Sequence, residues 1–263
     1  MHLVRSSFIM LDRVSTSGEQ RLWRAGIHDW DAFLAAQRIP GFGLARKAFY
    51  DRQLLRAEAL LQARAYERLG LPKSEHWRLY PLLKDEAVFL DIETSGSYGD
   101  VTVLGCWDGE TYVAFVRGHN LDKELVREYL SRFRVVVTFN GSSFDLPVLR
   151  RYFGNVFPED IIHVDVRHVL ARLGYAGGLK SIERQLGITR EAALQGVSGD
   201  DAVLLWQQYC LTQEGEFLDV LLAYNEADCR NLEPLAAFAV RTLWEAIRGS
   251  ADEQIICKKE GCL

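Results

Sequence analysis

The sequence predicts an α/β protein: a mixed five-stranded sheet flanked by helices, with a small helical region ahead of it. Three observations lead there. Residues 87–92, 101–107 and 112–116 read as strands, the last two joined by the Asp108-Gly109 turn of an antiparallel hairpin. Residues 134–139 form a near-continuous apolar run, as in a parallel strand covered on both faces, and residues 161–164 supply a short fifth strand. Before, between and after these strands, apolar residues recur at helical spacing.

The elements follow in order. Over residues 17–69 the pattern is helical, with Leu22, Trp23, Ile27, Trp30, Phe33 and Leu34 apolar and Asp29 or Asp31 placed to cap a helix starting near Trp30. Ile39-Pro40-Gly41-Phe42-Gly43-Leu44-Ala45-Arg46 is similar to the hairpin of a helix-hairpin-helix module, in which backbone amides at a helix start grip a phosphate. A plain helix-helix turn with glycine at positive φ fits the same residues. Residues 75–81 read as a connector ended by Pro81, with His76 a surface or packing residue. The boundaries expected are therefore 1–82 for the helical region, 83–248 for the α/β domain and 249–263 for a polar, loosely held tail.

Within the α/β domain, a glycine-rich turn spans residues 96–100. A helix is expected over 122–133 with Leu125, Val126, Tyr129 and Leu130 buried. Further helices are expected over 165–173, 179–186, 200–210 and 215–230, with Asp165, Asp200 and Asp201 as N-caps. Pro234 is expected to kink or restart the last helix, which then runs to about Arg248.

Composition narrows the function. The chain has 263 residues and a net charge of −5, so it lacks the basic surplus of a protein that grips phosphate backbones in bulk. An enzyme touching a few nucleotides at an acidic metal site remains compatible, because bound cations supply local positive charge. With no apolar run near the ~18 residues that span a bilayer and no secretory h-region in Met1-His2-Leu3-Val4-Arg5, a cytoplasmic protein without membrane contact is expected. Cys106, Cys210, Cys229, Cys257 and Cys262 are odd in number and scattered, which favours reduced thiols. Cys257 and Cys262 form at most half a zinc site.

The chemistry starts at Phe89-Leu90-Asp91-Ile92-Glu93-Thr94. Strand alternation puts Asp91 and Glu93 side by side on one face, where two like charges need a cation or a retained proton unless they simply reach water. The fourth strand ends in Asn140-Gly141-Ser142-Ser143-Phe144-Asp145-Leu146-Pro147. Ligands of open α/β sheets gather at such strand ends, so Asp145 is placed to approach the pair, although it also suits a helix cap. In Ala223-Tyr224-Asn225-Glu226-Ala227-Asp228, Tyr224 and Asp228 lie four apart and share a helix face, as they also would in a purely structural hydrogen bond. Lys180 opens another helix, where it meets a phosphate or simply solvent.

These three segments resemble, in order and content, the exonuclease motifs of the DEDD superfamily of 3′-to-5′ exonucleases, which have a ribonuclease-H-like (DnaQ-like) fold. Tyrosine ahead of the last aspartate matches the DEDDy branch, and the sequence is similar to stand-alone bacterial exonucleases of the YprB type over residues 87–235. The resemblance implies a ribonuclease-H-like fold and hydrolysis of phosphodiester bonds from the 3′ ends of single-stranded DNA or RNA, with two Mg²⁺ or Mn²⁺ ions. It implies that Asp91, Glu93 and Asp228 hold the nucleophile-side ion, that Asp91 bridges to the second, and that Asp145 acts mainly through a water ligand. Tyr224 then orients the attacking water. Thr94, Asn140, Phe144 and Lys180 become candidate substrate contacts. Two other functions stay open on these residues: a non-catalytic nucleic-acid adaptor using the Gly41 turn with Arg46 and Lys47, and a metal-dependent endonuclease or resolvase.

Overall fold

The computed structural model describes residues 3–96, 100–191, 196 and 198–259, with side chains described as far as residue 249. The residues expected as a turn at 97–99 lie outside that set, as do the side chains of Cys257 and Cys262. Among the described residues no helix is long and apolar enough to cross a membrane. Two compact units are present, one formed by residues 1–82 and 240–263, the other by residues 83–239.

The first unit contains α1 (Thr16–Arg24), α2 (Trp30–Ala35), α3 (Leu44–Gln62) and most of α4 (Tyr80–Leu83). Asp29 caps α2 as expected, its carboxylate accepting from the Ala32 N–H at 2.8 Å. The turn ahead of α3 closes through Phe42 N–H donating to the Ile39 carbonyl at 3.0 Å, with Gly41 at φ +81°, a conformation that favours glycine at that corner. The segment expected as a connector is instead core: Trp77, Arg78, Leu79 and Tyr80 are buried. Arg78 is the reason, because its guanidinium is held by Glu19 and Glu75, both buried, and ties residues 75–79 to α1. A charged residue in a polar-looking stretch gave no hint of that burial.

The second unit is α/β, with a five-stranded mixed sheet in the order β3-β2-β1-β4-β5. The strands are β1 (Ala87–Glu93), β2 (Val103–Trp107), β3 (Tyr112–Val116), β4 (Val135–Thr138) and β5 (Ile162–Asp165). β1 is central, antiparallel to β2 and parallel to β4. Val88, Leu90 and Ile92 pack on one side against α5 (Lys123–Leu130) and α6 (Asp145–Phe153), through Val126, Leu130, Val148 and Leu149. Of the stripe expected on α5, Val126 and Leu130 are buried, whereas Leu125 turns to solvent at 48% exposure. α7 (Val166–Ala171) and α8 (Leu179–Leu186) follow β5.

A second apolar cluster joins Val103 and Val116 of the sheet to α9 (Gly199–Thr212) and α10 (Gly215–Lys259) through Trp206, Leu221 and Tyr224. Ser198 caps α9, and Asp201 closes a capping box with it, so neither Asp200 nor Asp201 is the N-cap expected. α10 runs through Pro234 without a break and on to Lys259, so the expected restart and the expected end near Arg248 are both replaced by one helix. A proline costs a helix one N–H donor, and a long helix with many other bonds tolerates that loss.

Candidate metal centre

The site is built on the end of β1. Alternation along the strand turns Asp91 and Glu93 to the face opposite Leu90 and Ile92, and α10 crosses that face. Asp228 of α10 thereby meets them: one carboxylate oxygen from each of Asp91, Glu93 and Asp228 lies within 4.8 Å of the others. Asp145, at the start of α6, is buried close by and is held differently, its Oδ1 accepting from the Ile92 N–H at 3.2 Å.

Uncharged and basic groups complete the arrangement. Asn225 is fully buried, and its Nδ2 donates to Asp91 Oδ2 at 2.9 Å and Glu93 Oε1 at 3.3 Å. The Tyr112 hydroxyl donates to Asn225 Oδ1 at 2.9 Å and so fixes which end of the amide faces the acids. Tyr224 is buried one helix turn before Asp228 on the same helix face and carries Lys180 over its ring at 4.2 Å. Arg190 pairs with Asp228 and, through Nε and Nη2, with both oxygens of Glu183 at 2.7 Å.

Residues 88–240 match the family model of the RNase_H superfamily, more than half of the chain and nearly the whole second unit. The chain belongs to that superfamily. No curated protein and no solved structure matches it. Membership supports a hydrolase acting on nucleic acid with a divalent-metal requirement.

The electrostatics of the RNase H-like domain fit that requirement. Burial and then the charges of Asp228, Asp145 and Glu93 push Asp91 well above the ordinary carboxylate range. Glu93 is pushed up to about 8, chiefly by burial and next by Asp228. Asp145 is pushed up to about 7 by burial, against the opposing hydrogen bonds of its own and the Ile92 backbone N–H groups. Asp228 is raised by burial despite Arg190. Such crowding is costly for carboxylates by themselves and is relieved by a cation, and an all-oxygen donor set suits a hard one such as Mg²⁺ or Mn²⁺.

Of the other residues singled out in the sequence, Lys180 is brought to the cluster through Tyr224. Thr94 directly follows Glu93, and its hydroxyl accepts from the Gly96 N–H at 3.4 Å. Phe144 precedes Asp145 and is 45% exposed. Asn140 is at φ +67°, and its side-chain oxygen accepts from Arg167 at 2.6 Å. What holds that turn is Asp165, which occupies the N-cap position of α7 as expected but makes no side-chain capping bond there: its carboxylate accepts from Asn140 N–H at 2.8 Å and Ser142 N–H at 3.0 Å. Asp165→Ala leaves two backbone donors without that acceptor and is expected to cost about 2 kcal/mol, and Asp165→Asn about half of that, in urea unfolding.

Sequence reasoning did not assign Asn225, Tyr112, Gly105, Glu183 or Arg190. Asn225 had a signal, since it lies three residues before Asp228 on the same helix and therefore near the same face. Gly105 had one also, because a glycine inside a strand marks a close approach, here by Asn225 to the residue paired with Asp91. Arg190 and Glu183 carried none.

Proposed function

We propose that this protein is a metal-dependent 3′-to-5′ exonuclease of the DEDDy type, acting on single-stranded DNA or RNA. The observation that carries the reading is that Asp91, Glu93 and Asp228, from segments well over a hundred residues apart, converge within 4.8 Å on one sheet face, with Asp145 beside them and Tyr224 one helix turn before Asp228. Two divalent cations, when bound, stabilise the attacking and leaving oxygens of an in-line phosphoryl displacement.

The chain's own groups divide the remaining work. Asp91, Glu93 and Asp228 would hold the cations, with Asp91 serving both. Asp145, tied by the Ile92 N–H, would act through a water ligand. Tyr224 keeps its proton at neutral pH, because burial and the neighbouring carboxylates push its hydroxyl up from an already high value. It therefore positions the attacking water as a hydrogen-bonding group and does not take its proton. The exposed ring of Phe144 offers a stacking face for the terminal base, with Thr94, Asn140 and Lys180 as further substrate contacts.

The adaptor reading has less to work with. Lys47 is buried and paired with Asp51 at 2.6 Å, and Arg46 donates to the Tyr50 hydroxyl at 3.0 Å and covers the Phe42 ring. Incubation of 5′-labelled single strands with Mg²⁺ or Mn²⁺ decides between the readings. A ladder shortening one nucleotide at a time, abolished by a chelator and absent on circular single strands, is expected. Cutting of the circle would assign an endonuclease, and binding without cleavage an adaptor.

A further inference from the structure

Arg190 is satisfied differently from the other deeply buried arginine described above. Arg78 places every nitrogen: Nε on Glu75 at 2.7 Å, Nη1 on the Ser7 hydroxyl at 2.9 Å and Glu19 at 3.0 Å, and Nη2 on Glu19 at 2.6 Å. That is a closed structural network. Arg190, with a side chain only 7% exposed, places Nε and Nη2 on Glu183 and sets Nη2 against Asp228, while its buried Nη1 has no acceptor among the described residues. A buried donor left open is costly unless some further acceptor is brought to it.

Its surroundings show how such an acceptor would be received. Glu183 is itself anchored by the Asn231 Nδ2 of α10 at 2.9 Å, so the guanidinium is held from one side by a fixed carboxylate. On the other side its partner is Asp228, a member of the candidate ligand set. A divalent cation and a guanidinium compete for that carboxylate and repel each other. Once Asp228 is taken, Arg190 keeps Glu183 and has N–H donors to spare, with no acceptor for Nη1 among the described residues.

We propose that Arg190 is a phosphate-binding residue of this site, latched on Asp228 in the metal-free protein and passed to a phosphate oxygen of the nucleic-acid substrate when a divalent cation claims that carboxylate. The proposal rests on the nuclease reading above, since it is the substrate that brings the anion. The planar fork of an arginine suits a phosphate, and the fixed Glu183 prepays the positioning.

The test uses the 263-residue protein and two binding measurements that involve no turnover: Mn²⁺ by calorimetry, and thymidine 5′-monophosphate, which has no phosphodiester bond left to cut, in saturating Mn²⁺. Arg190→Gln is expected to bind Mn²⁺ about threefold to tenfold tighter, because a competing cation is gone, and the nucleotide at least about tenfold more weakly, as befits loss of a charged hydrogen bond. Arg190→Lys, which keeps the charge without the fork, is expected to bind the nucleotide at least about threefold more weakly than wild type, and this arm stands even if Arg190→Gln does not fold. Weaker Mn²⁺ binding by Arg190→Gln would make Arg190 a mere holder of Asp228 and overturn the proposal. Unchanged nucleotide affinity in the folded variants would overturn it as well. Wild-type protein that binds no Mn²⁺ would bring down both this proposal and the metal-centre reading, whereas Mn²⁺ binding with an indifferent Arg190 removes this one alone.

Discussion

Asp91→Asn is expected to lower nuclease turnover by about a thousandfold and yet raise the melting temperature of the metal-free protein. The loss follows from position: Asp91 is one of the three acids of the cluster, and removing one anionic ligand forfeits several kcal/mol of transition-state stabilisation, or about 10³ in rate. The gain follows from the same crowding. Burial and three neighbouring carboxylates oppose ionisation of Asp91, so an uncharged amide of the same shape relieves the repulsion and is expected to add about 1–2 kcal/mol, or about 5 °C.

The pH dependence has a definite sign. Glu93 moves from 4.5 in the unfolded chain to about 8 in the fold, and Asp145 from 3.8 to about 7. Between those limits the folded protein binds more protons than the unfolded chain, so metal-free stability is greatest near pH 4–5 and falls as pH rises through 7 and 8. In Asp91→Asn that fall is expected to be shallower, and Mn²⁺ is expected to cancel it in the wild type by binding the ionised fold. Thermal melts from pH 5 to pH 8.5, with and without Mn²⁺, check all three statements. A wild-type melting temperature that climbs across the range would contradict the cluster's electrostatics.

Gly105→Ala carries the second large effect. Gly105 pairs with Asp91 in the sheet, and a Cβ there would stand 1.7 Å from Asn225 Oδ1, 2.8 Å from its Cγ and 3.0 Å from Cys229 Sγ. Asn225 has no way to yield. It is fully buried, it accepts from the Tyr112 hydroxyl, and it donates to Asp91 and Glu93. The methyl group must therefore push α10 off the sheet, taking Asp228 with it, at an expected cost of about 3 kcal/mol or more. Mn²⁺ affinity should fall in parallel. Combining Gly105→Ala with Asn225→Ala supplies the control: most of the glycine's cost should vanish when the obstructing amide is removed, a coupling that chemical denaturation of the four proteins reads directly. Additive costs would show that the strand glycine serves something other than Asn225.

Period-two alternation in residues 87–93 placed Asp91 and Glu93 on a common face, and the i, i+4 spacing of Tyr224 and Asp228 placed those two on another. Both are local consequences of backbone geometry, and the structure keeps them. The Asp108-Gly109 hairpin and the apolar run of β4 likewise announced themselves, because turn chemistry and two-sided burial leave a mark on short stretches. Segments whose outcome depended on a distant partner were less legible. Residues 75–81 look like a polar connector in sequence, but Glu19 and Glu75 make the burial of Arg78 tolerable, and Asp165 sits at the expected N-cap position of α7 while its carboxylate serves the turn at residues 140–142.

What the sequence determined by itself was the α/β class, the strand pattern and the local pairing of Asp91 with Glu93 and of Tyr224 with Asp228, since each follows from periodicities read within a dozen residues. What only the tertiary structure decided was the company those acids keep. Asn225 between Asp91 and Glu93, Gly105 beneath it, and Arg190 strung between Glu183 and Asp228 are set by how α10 meets the sheet and how Glu183 of α8 meets α10. A side chain's electrostatic partner is chosen by distance in space, and no periodicity along the chain encodes that distance.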